Sequence, residues 1–392
     1  MGRWILGLLA LGFLAWPASA QDMLVKKQTF DLATFTTDGG ATIKGVKVGF
    51  ESYGTLNADK SNAILIAHFF SGSSHAAGKY AEAEKVPGYW DSIIGPGKAI
   101  DTTKYFVLSS DTLVNLGGND PTVVTTGPAS INPDTGKPYG MSFPMVTIGD
   151  FVEVQKKLVD SLGIKKLVMV AGASMGALQT YEWAVRYPDM VGRIMPVIGA
   201  ADVDANLVGW LDIWAAPIRL DAKWNNGDYY GRDAPNAGLG EALKIVTLHA
   251  QHHEWANAAF ATPTGAKWAK EGDDPAKSFN GKYQVEAVLT GAGAARAKTS
   301  DANHFLYLVK ANQLYAGGDG KARMAKIKAP ALLIYSPKDL VFPADSVKKT
   351  AEVLKSGGAI VEIVTLDGTR GHLDGVLSIK QAEKAIAAFL AK

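Results

Sequence analysis

Short, almost unbroken apolar runs recur along the chain at 63–70 (AILIAHFF), 105–109 (YFVLS), 167–171 (LVMVA), 194–198 (IMPVI), 331–335 (ALLIY) and 360–364 (IVEIV). Runs this short, without polar alternation, are what strands covered on both faces look like, so each predicts a central parallel strand. Between them the spacing becomes that of a helix. Phe151, Val154, Leu158 and Leu162 share one helical face, Thr147 and Asp150 stand ahead of it as a capping box, and Gly163 stops it. The last segment repeats the device: Ser378 and Gln381 are predicted to open a helix whose apolar face carries Ile379, Ala382, Ile386 and Phe389. Strands and helices alternating in this way predict an α/β fold, with a mainly parallel central sheet and helices on both faces.

One stretch interrupts the alternation. Between Asp202 and Lys321 no buried strand is predicted, while five of the nine tryptophans (Trp210, Trp214, Trp224, Trp255 and Trp268) fall there among helix-like segments. A structureless loop of that length is uncommon inside a compact domain, so 202–321 is predicted to be a helical lid inserted into a core made of 21–201 and 322–392. Packing within the lid is the preferred reason for its tryptophans, with contact to a ligand the alternative for any one of them. The small-residue tract GAGAARA at 291–297 is the one low-complexity feature.

The first 20 residues are set apart from this fold. Arg3, the apolar run from Trp4 to Trp16 and the small-residue site Ala18-Ser19-Ala20 before Gln21 form the pattern of a secretory signal peptide. That run is too short for a membrane span, which needs about 20 residues. The expectation is a mature protein beginning near Gln21, periplasmic or secreted, with no membrane attachment once the leader is cleaved; an uncleaved anchor is the alternative. The chain has no cysteine, which excludes disulfides and a thiol nucleophile. A net charge of +2, with no long run of one sign, gives no reason to expect a nucleic-acid partner.

The candidate chemistry centres on GASMG at 172–176. It follows an apolar strand and opens the helical run MGALQTYEWAVRYP. A nucleophile elbow needs that strand-turn-helix setting, because a serine held in strained backbone leaves space for only the smallest residues two before and two after it. Ser174 is then the candidate nucleophile; a plain tight turn is the alternative. A serine needs a base, held in turn by an acid. Asp339 follows the strand at 331–335, and His372 lies in the loop after 360–364. Asp367 and Asp374 share the histidine's own loop, so Asp339 is preferred as the acid. The other histidines, His68, His75, His249, His252, His253 and His304, do not occupy the place of the base, and the adjacent pair His252-His253 is read as exposed helix histidines rather than a metal site. The oxyanion hole is expected to take backbone N–H groups from Met175 and Phe70. Neither a metal nor another cofactor is called for.

Longer motifs carry a resemblance. YGTLN from Tyr53, HFFSGSSHAAG at 68–78, IGPGKAIDTTKYFV at 94–107, TGPASINPDTGKPYG from Thr126, FPMVTIGD from Phe143 and GASMGALQTYEWAVRYP together look like the homoserine O-acetyltransferase family of α/β-hydrolases. WNNGDYYGR from Trp224, SDAN from Ser300, SPKDLVFP from Ser336 and GHLDG from Gly371 extend the likeness over nearly the whole mature chain. The resemblance implies an α/β-hydrolase fold with a helical lid, a Ser174–His372–Asp339 triad, a small ester or acyl substrate, and a homodimer formed through the lid. It also has gaps. Where the family carries an arginine thought to hold the amino acid's carboxylate, this chain has Ala215, and a Tyr-Arg pair further along the lid corresponds to Leu248-His249. Losing an arginine removes the group best suited to a carboxylate, so the substrate is expected to be uncharged near that end unless His249 is protonated. The resulting expectation is an exported carboxylester hydrolase working through an acyl-enzyme. The alternatives are an O-acyltransferase of the family's own type and a non-catalytic homologue that binds a small ligand.

Overall fold

The structure, a computed structural model, describes residues 23–270, 274–315 and 320–392; the segment 1–20, expected to be a leader, lies outside them. Eight strands form the central sheet: β1 (Gln28–Thr36), β2 (Thr42–Tyr53), β3 (Ala63–Ala67), β4 (Phe106–Ser110), β5 (Met169–Ala173), β6 (Ile194–Val197), β7 (Ala331–Tyr335) and β8 (Val361–Thr365). Their lateral order is β1-β2-β4-β3-β5-β6-β7-β8. β2 is antiparallel to both β1 and β4, and every later pairing is parallel.

The unbroken apolar runs have a direct cause. Ile64 and Ile66 of β3, like Leu332 and Ile334 of β7, pack into the hydrophobic core on one face of the sheet. Ala63 and Leu65, like Leu333 and Tyr335, pack into the core on the other. Of the six runs only 331–335 keeps both of its expected ends; the other five strands start or stop one to three residues away. The run read from Leu167 becomes strand at Met169 and continues to Ala173, so Ser174 follows the strand without a spacer. β1 and β2 form no unbroken apolar run: β1 is the largely exposed edge strand, and β2 beside it alternates exposed with buried residues at first and then carries Gly49, Glu51 and Ser52 through its mostly buried second half.

Nine helices of eight or more residues pack around this sheet in the described residues: α1 (Ile148–Ser161), α2 (Met175–Arg186), α3 (Ala205–Leu220), α4 (Asn236–His249), α5 (His253–Phe260), α6 (Gln284–Ala297), α7 (Ala302–Leu314), α8 (Ala344–Ser356) and α9 (Glu383–Ala391). α1 begins at the expected capping box: the Asp150 N–H donates to Thr147 Oγ1 (3.1 Å) and the Thr147 N–H to the Asp150 carboxylate (2.7 Å). The C-terminal helix starts differently. Ser378 donates to Asp374 (2.9 Å) instead of capping, the Gln381 amide brackets the backbone of Asp367, and residues Ile379–Ala382 form a 3-10 turn before α9. Ile379, Ala382, Ile386 and Phe389 are nevertheless buried together.

Helices α3 to α7 all fall between β6 and β7, with a small ladder of Ala261–Thr262 on Gly265–Ala266 among them. Within this helical stretch α4 and α6 approach closely, because glycines meet: a side chain on Gly293 would lie 2.3 Å from the Gly240 carbonyl oxygen. A separate apolar core joins α3, α4 and α7 to the loop after β3, through Phe70, Trp214, Leu243 and Phe305.

That loop is also tied down from below by a buried charge. Glu51 of β2 is fully buried and accepts hydrogen bonds from Tyr53 (2.8 Å), Tyr80 (2.6 Å) and His75 (3.0 Å), with Lys27 at 3.1 Å. The Tyr53 hydroxyl in turn accepts the N–H groups of Ala76 and Ala77 (2.9 and 3.2 Å). Burial alone would raise the Glu51 pKa, but His75, Lys27 and Tyr80 outweigh it and bring the carboxyl from its ordinary 4.5 to about 2. A depressed pKa contributes stability that is complete above the unfolded value and is lost as pH falls through the folded one. Wild type should therefore exceed Glu51→Gln in unfolding free energy at neutral pH by about 3 kcal/mol. Urea titrations should show the gap narrowing from pH 4.5 towards pH 2; a gap independent of pH across that window would contradict the assignment.

Candidate active site

Ser174 sits between the last residue of β5 and the first of α2, with φ 57° and ψ −118°. Its N–H donates to the Val197 carbonyl of β6 (2.9 Å), which fixes the turn to the sheet. The glycines on either side are sterically required. A side chain on Gly172 would meet the Gly176 oxygen at 2.4 Å, and one on Gly176 would meet the Ala67 oxygen of β3 at 2.1 Å. Sheet and helix are thus in backbone contact around the serine.

Two loops at the same ends of β7 and β8 complete the constellation. The Ser174 Oγ is 2.8 Å from His372 Nε2, and His372 Nδ1 is 2.8 Å from Asp339 Oδ2. The other carboxylate oxygen, Oδ1, accepts the N–H groups of Val341 and Phe342 (2.8 and 2.9 Å). All three side chains are buried. Gly371 permits the histidine loop to lie on the acid loop: its φ is 61°, and a side chain there would lie 2.7 Å from the Lys338 oxygen. The competing carboxylates have other positions. Asp367 is exposed, and Asp374 is buried against Ser336, Ser378 and the Arg370 N–H.

Met175 N–H, at the first position of α2, has no acceptor among the described residues; nor do the N–H groups of Phe70 and Ser71. The Phe70 ring is held edge-on between Trp214 and Phe305 (5.6 and 5.2 Å), so the lid stretch helps to set this loop. Phe70 and Ser71 border a cavity of about 240 Å³ together with Ser174 and His372; Ile198, Trp214, Val246, Val341 and Val376 supply apolar wall. Such an arrangement can move a proton from a hydroxyl to an imidazole and offer N–H donors to an oxyanion beside an apolar chamber.

The chain has relatives among known proteins. The alpha/beta hydrolase fold family matches residues 85–373. A homoserine O-acetyltransferase of Deferribacter desulfuricans is 37% identical over 362 residues, spanning 91% of this chain and 93% of that protein. The chain belongs to the homoserine O-acetyltransferase-like family of the α/β-hydrolase superfamily. Among solved structures, esterase E22 is 48% identical with a TM-score of 0.89, over 94% of this chain and 100% of that one. A homoserine O-acetyltransferase from Bacillus anthracis is 34% identical with a TM-score of 0.88, over 94% and 98% of the two chains. The protein is accordingly an α/β-hydrolase-fold enzyme of the esterase and acyltransferase type.

Within this family member the remaining sequence candidates take definite places. Ala215 is buried in the apolar core, Leu248 is half-exposed, and neither borders the cavity. His249 does not supply a cation: burial lowers its pKa, and its Nδ1 accepts the Trp214 indole N–H (3.2 Å), which requires the neutral ring. His68 and His304 are buried and bonded to backbone, and His75 serves Glu51. His252 and His253 differ from two ordinary helix positions. His252 is the extended N-cap of α5, so the two rings lie 3.9 Å apart, and with Glu254 their ligand atoms fall within 4.8 Å of one another. Glu254 is committed to Lys338 at 2.5 Å.

Arg296 of α6 also borders the cavity and was not anticipated. The signal was its position as the single charged residue in GAGAARA. Asp339→Asn should lower turnover by about 10⁴ through loss of the productive imidazole tautomer, whereas Asp367→Asn should leave it within about twofold. Steady-state kinetics on an aryl acetate decide this, and the reverse ranking would exclude Asp339 as the acid.

Proposed function

We propose that the protein is a carboxylester hydrolase acting through an acyl-enzyme on Ser174. The observation that carries this reading is the continuous Asp339–His372–Ser174 relay, with 2.8 Å at each step. His372 takes the Ser174 proton as Oγ attacks the ester carbonyl. Asp339, fixed by two backbone N–H groups, holds the imidazole in the tautomer that leaves Nε2 free to accept. Backbone N–H groups of Met175 and Phe70 stabilise the tetrahedral oxyanion, assisted by the positive end of α2. His372 then protonates the departing alcohol, and water, activated by the same histidine, releases the acid.

Support for hydrolysis over transfer to homoserine comes from α3 and α4, where no cation stands at the positions that the resemblance gives to the acceptor's carboxylate. The position at which the resemblance expects a carboxylate-holding arginine is the buried Ala215, and His249 is kept neutral. The identity to esterase E22, 48%, also exceeds the 34% to the Bacillus anthracis homoserine O-acetyltransferase. Action in the periplasm or outside the cell, after removal of 1–20, is part of the proposal and rests on the leader pattern. A dimer through the lid rests on the family resemblance.

Ser174→Ala should reduce hydrolysis of p-nitrophenyl acetate by about 10⁴ to 10⁶ and abolish covalent labelling by an alkyl phosphonate, with unchanged far-ultraviolet circular dichroism. Near-normal turnover in that variant would remove Ser174 from the mechanism. Acetyl-CoA with L-homoserine, assayed beside the ester, should give a specificity constant more than about tenfold lower; a value within tenfold, a gap of about 1.4 kcal/mol, would make the enzyme a transferase.

A further inference from the structure

We infer that Arg296 is a specificity residue that receives a carboxylate at the far end of the ester substrate. The inference rests on the hydrolase reading above and adds the substrate class to it. Arg296 borders the cavity that holds Ser174 and His372, and also an adjoining cavity of about 420 Å³ lined by Ser71, Asn115, Thr299 and Val376. It therefore stands in the wall common to both.

The guanidinium has no carboxylate partner. Among the described residues no acidic oxygen lies within 4 Å of it, and its hydrogen bond is to Thr247 Oγ1 (2.9 Å), whose hydroxyl in turn donates to the Leu243 carbonyl (2.7 Å). Asp120, the carboxylate that borders the second cavity, spends its Oδ1 on Thr122. Burial lowers the Arg296 pKa, and no neighbouring charge offsets the loss of solvent. Arginine remains protonated under such conditions. A half-buried cation without a counter-ion is costly to keep, and an incoming anion removes that cost.

The position is built by packing. Gly240 and Gly293 bring α4 and α6 into backbone contact, which sets Arg296 of α6 on Thr247 of α4 and aims it at the cleft. A carboxylate fits better than a phosphate. The planar guanidinium matches it with two parallel N–H groups, and among the described residues no lysine or second arginine borders either cavity to balance a dianion. The cation thus comes from α6, a different helix from the α3 position now occupied by Ala215.

The test uses two substrate pairs with the mature enzyme. p-Nitrophenyl hydrogen adipate carries the carboxylate on the acyl side and 4-acetoxybenzoate on the alcohol side, and each is compared with its own methyl ester. For at least one pair, the ratio of kcat/KM for acid over methyl ester should fall about 10- to 100-fold in R296Q. R296K should give an intermediate ratio, since it keeps the charge and loses the fork. In wild type, raising salt should increase KM for the acid and leave the methyl ester unaffected; this reading does not depend on any variant folding. Ratios in R296Q within about twofold of wild type for both pairs, or KM values insensitive to salt, would overturn the proposal. Failure of the catalytic reading is seen separately, as turnover that survives in S174A. In that case, calorimetric binding of 4-acetoxybenzoate to S174A and to S174A/R296Q decides the role of Arg296 by itself: tighter binding to the former supports it, equal binding refutes it.

Discussion

At Ser174 the backbone has φ 57°, a conformation a β-carbon disfavours, and the surrounding contacts exist to hold it there. The strain is confined by hydrogen bonding to β6 and by glycines on both sides that let β5, β3 and α2 touch backbone to backbone. The consequence is geometric. The hydroxyl stands at the end of the central strand, where loops from β3, β7 and β8 can all reach it, while α2 starts on the next residue and turns its free N–H groups towards the same point.

The acid and base loops depend on that point but also on each other. Asp339 is fixed by two backbone N–H groups before it meets His372, and Gly371 lets the histidine loop lie directly on the chain at Lys338. Asp374, itself buried, braces the same loop through the Arg370 N–H, Ser336 and Ser378. Three carboxylates close in sequence or space to His372 thus divide into one that touches the ring, one that braces its loop and one that faces solvent.

The helical stretch between β6 and β7 places a different set of groups over the cleft. Trp214 covers Phe70 on one side and donates to His249 on the other, so a histidine that could have been a cation is neutral. Charge enters instead through Arg296, carried by an α6 helix that lies close to α4 because glycine faces glycine. Polarity around the cleft is therefore set by helix packing, and a comparison of aligned positions on α3 alone misjudges it.

Much of this is legible in the amino-acid sequence. The six inner strands announced themselves because both faces of a parallel sheet are covered, and the α1 capping box because its chemistry lies within four residues. The elbow was legible through its glycines, and Asp339 and His372 through their positions after late strands, since these signals are local. What the sequence alone could not decide was contact between segments far apart. β1 is an exposed edge strand and β2 mixes polar residues into its buried half, so neither has an apolar run to betray it; Ser378 has the pattern of a cap because the burial of Asp374 against the distant Ser336, which draws Ser378 away, lies outside any local pattern; and Arg296 reads as one residue of a small-residue tract because the cleft it faces exists only once α6 lies on α4. Local propensity and periodicity fix elements, whereas the partner of a charge or a hydroxyl is settled by which surfaces the folded chain brings together.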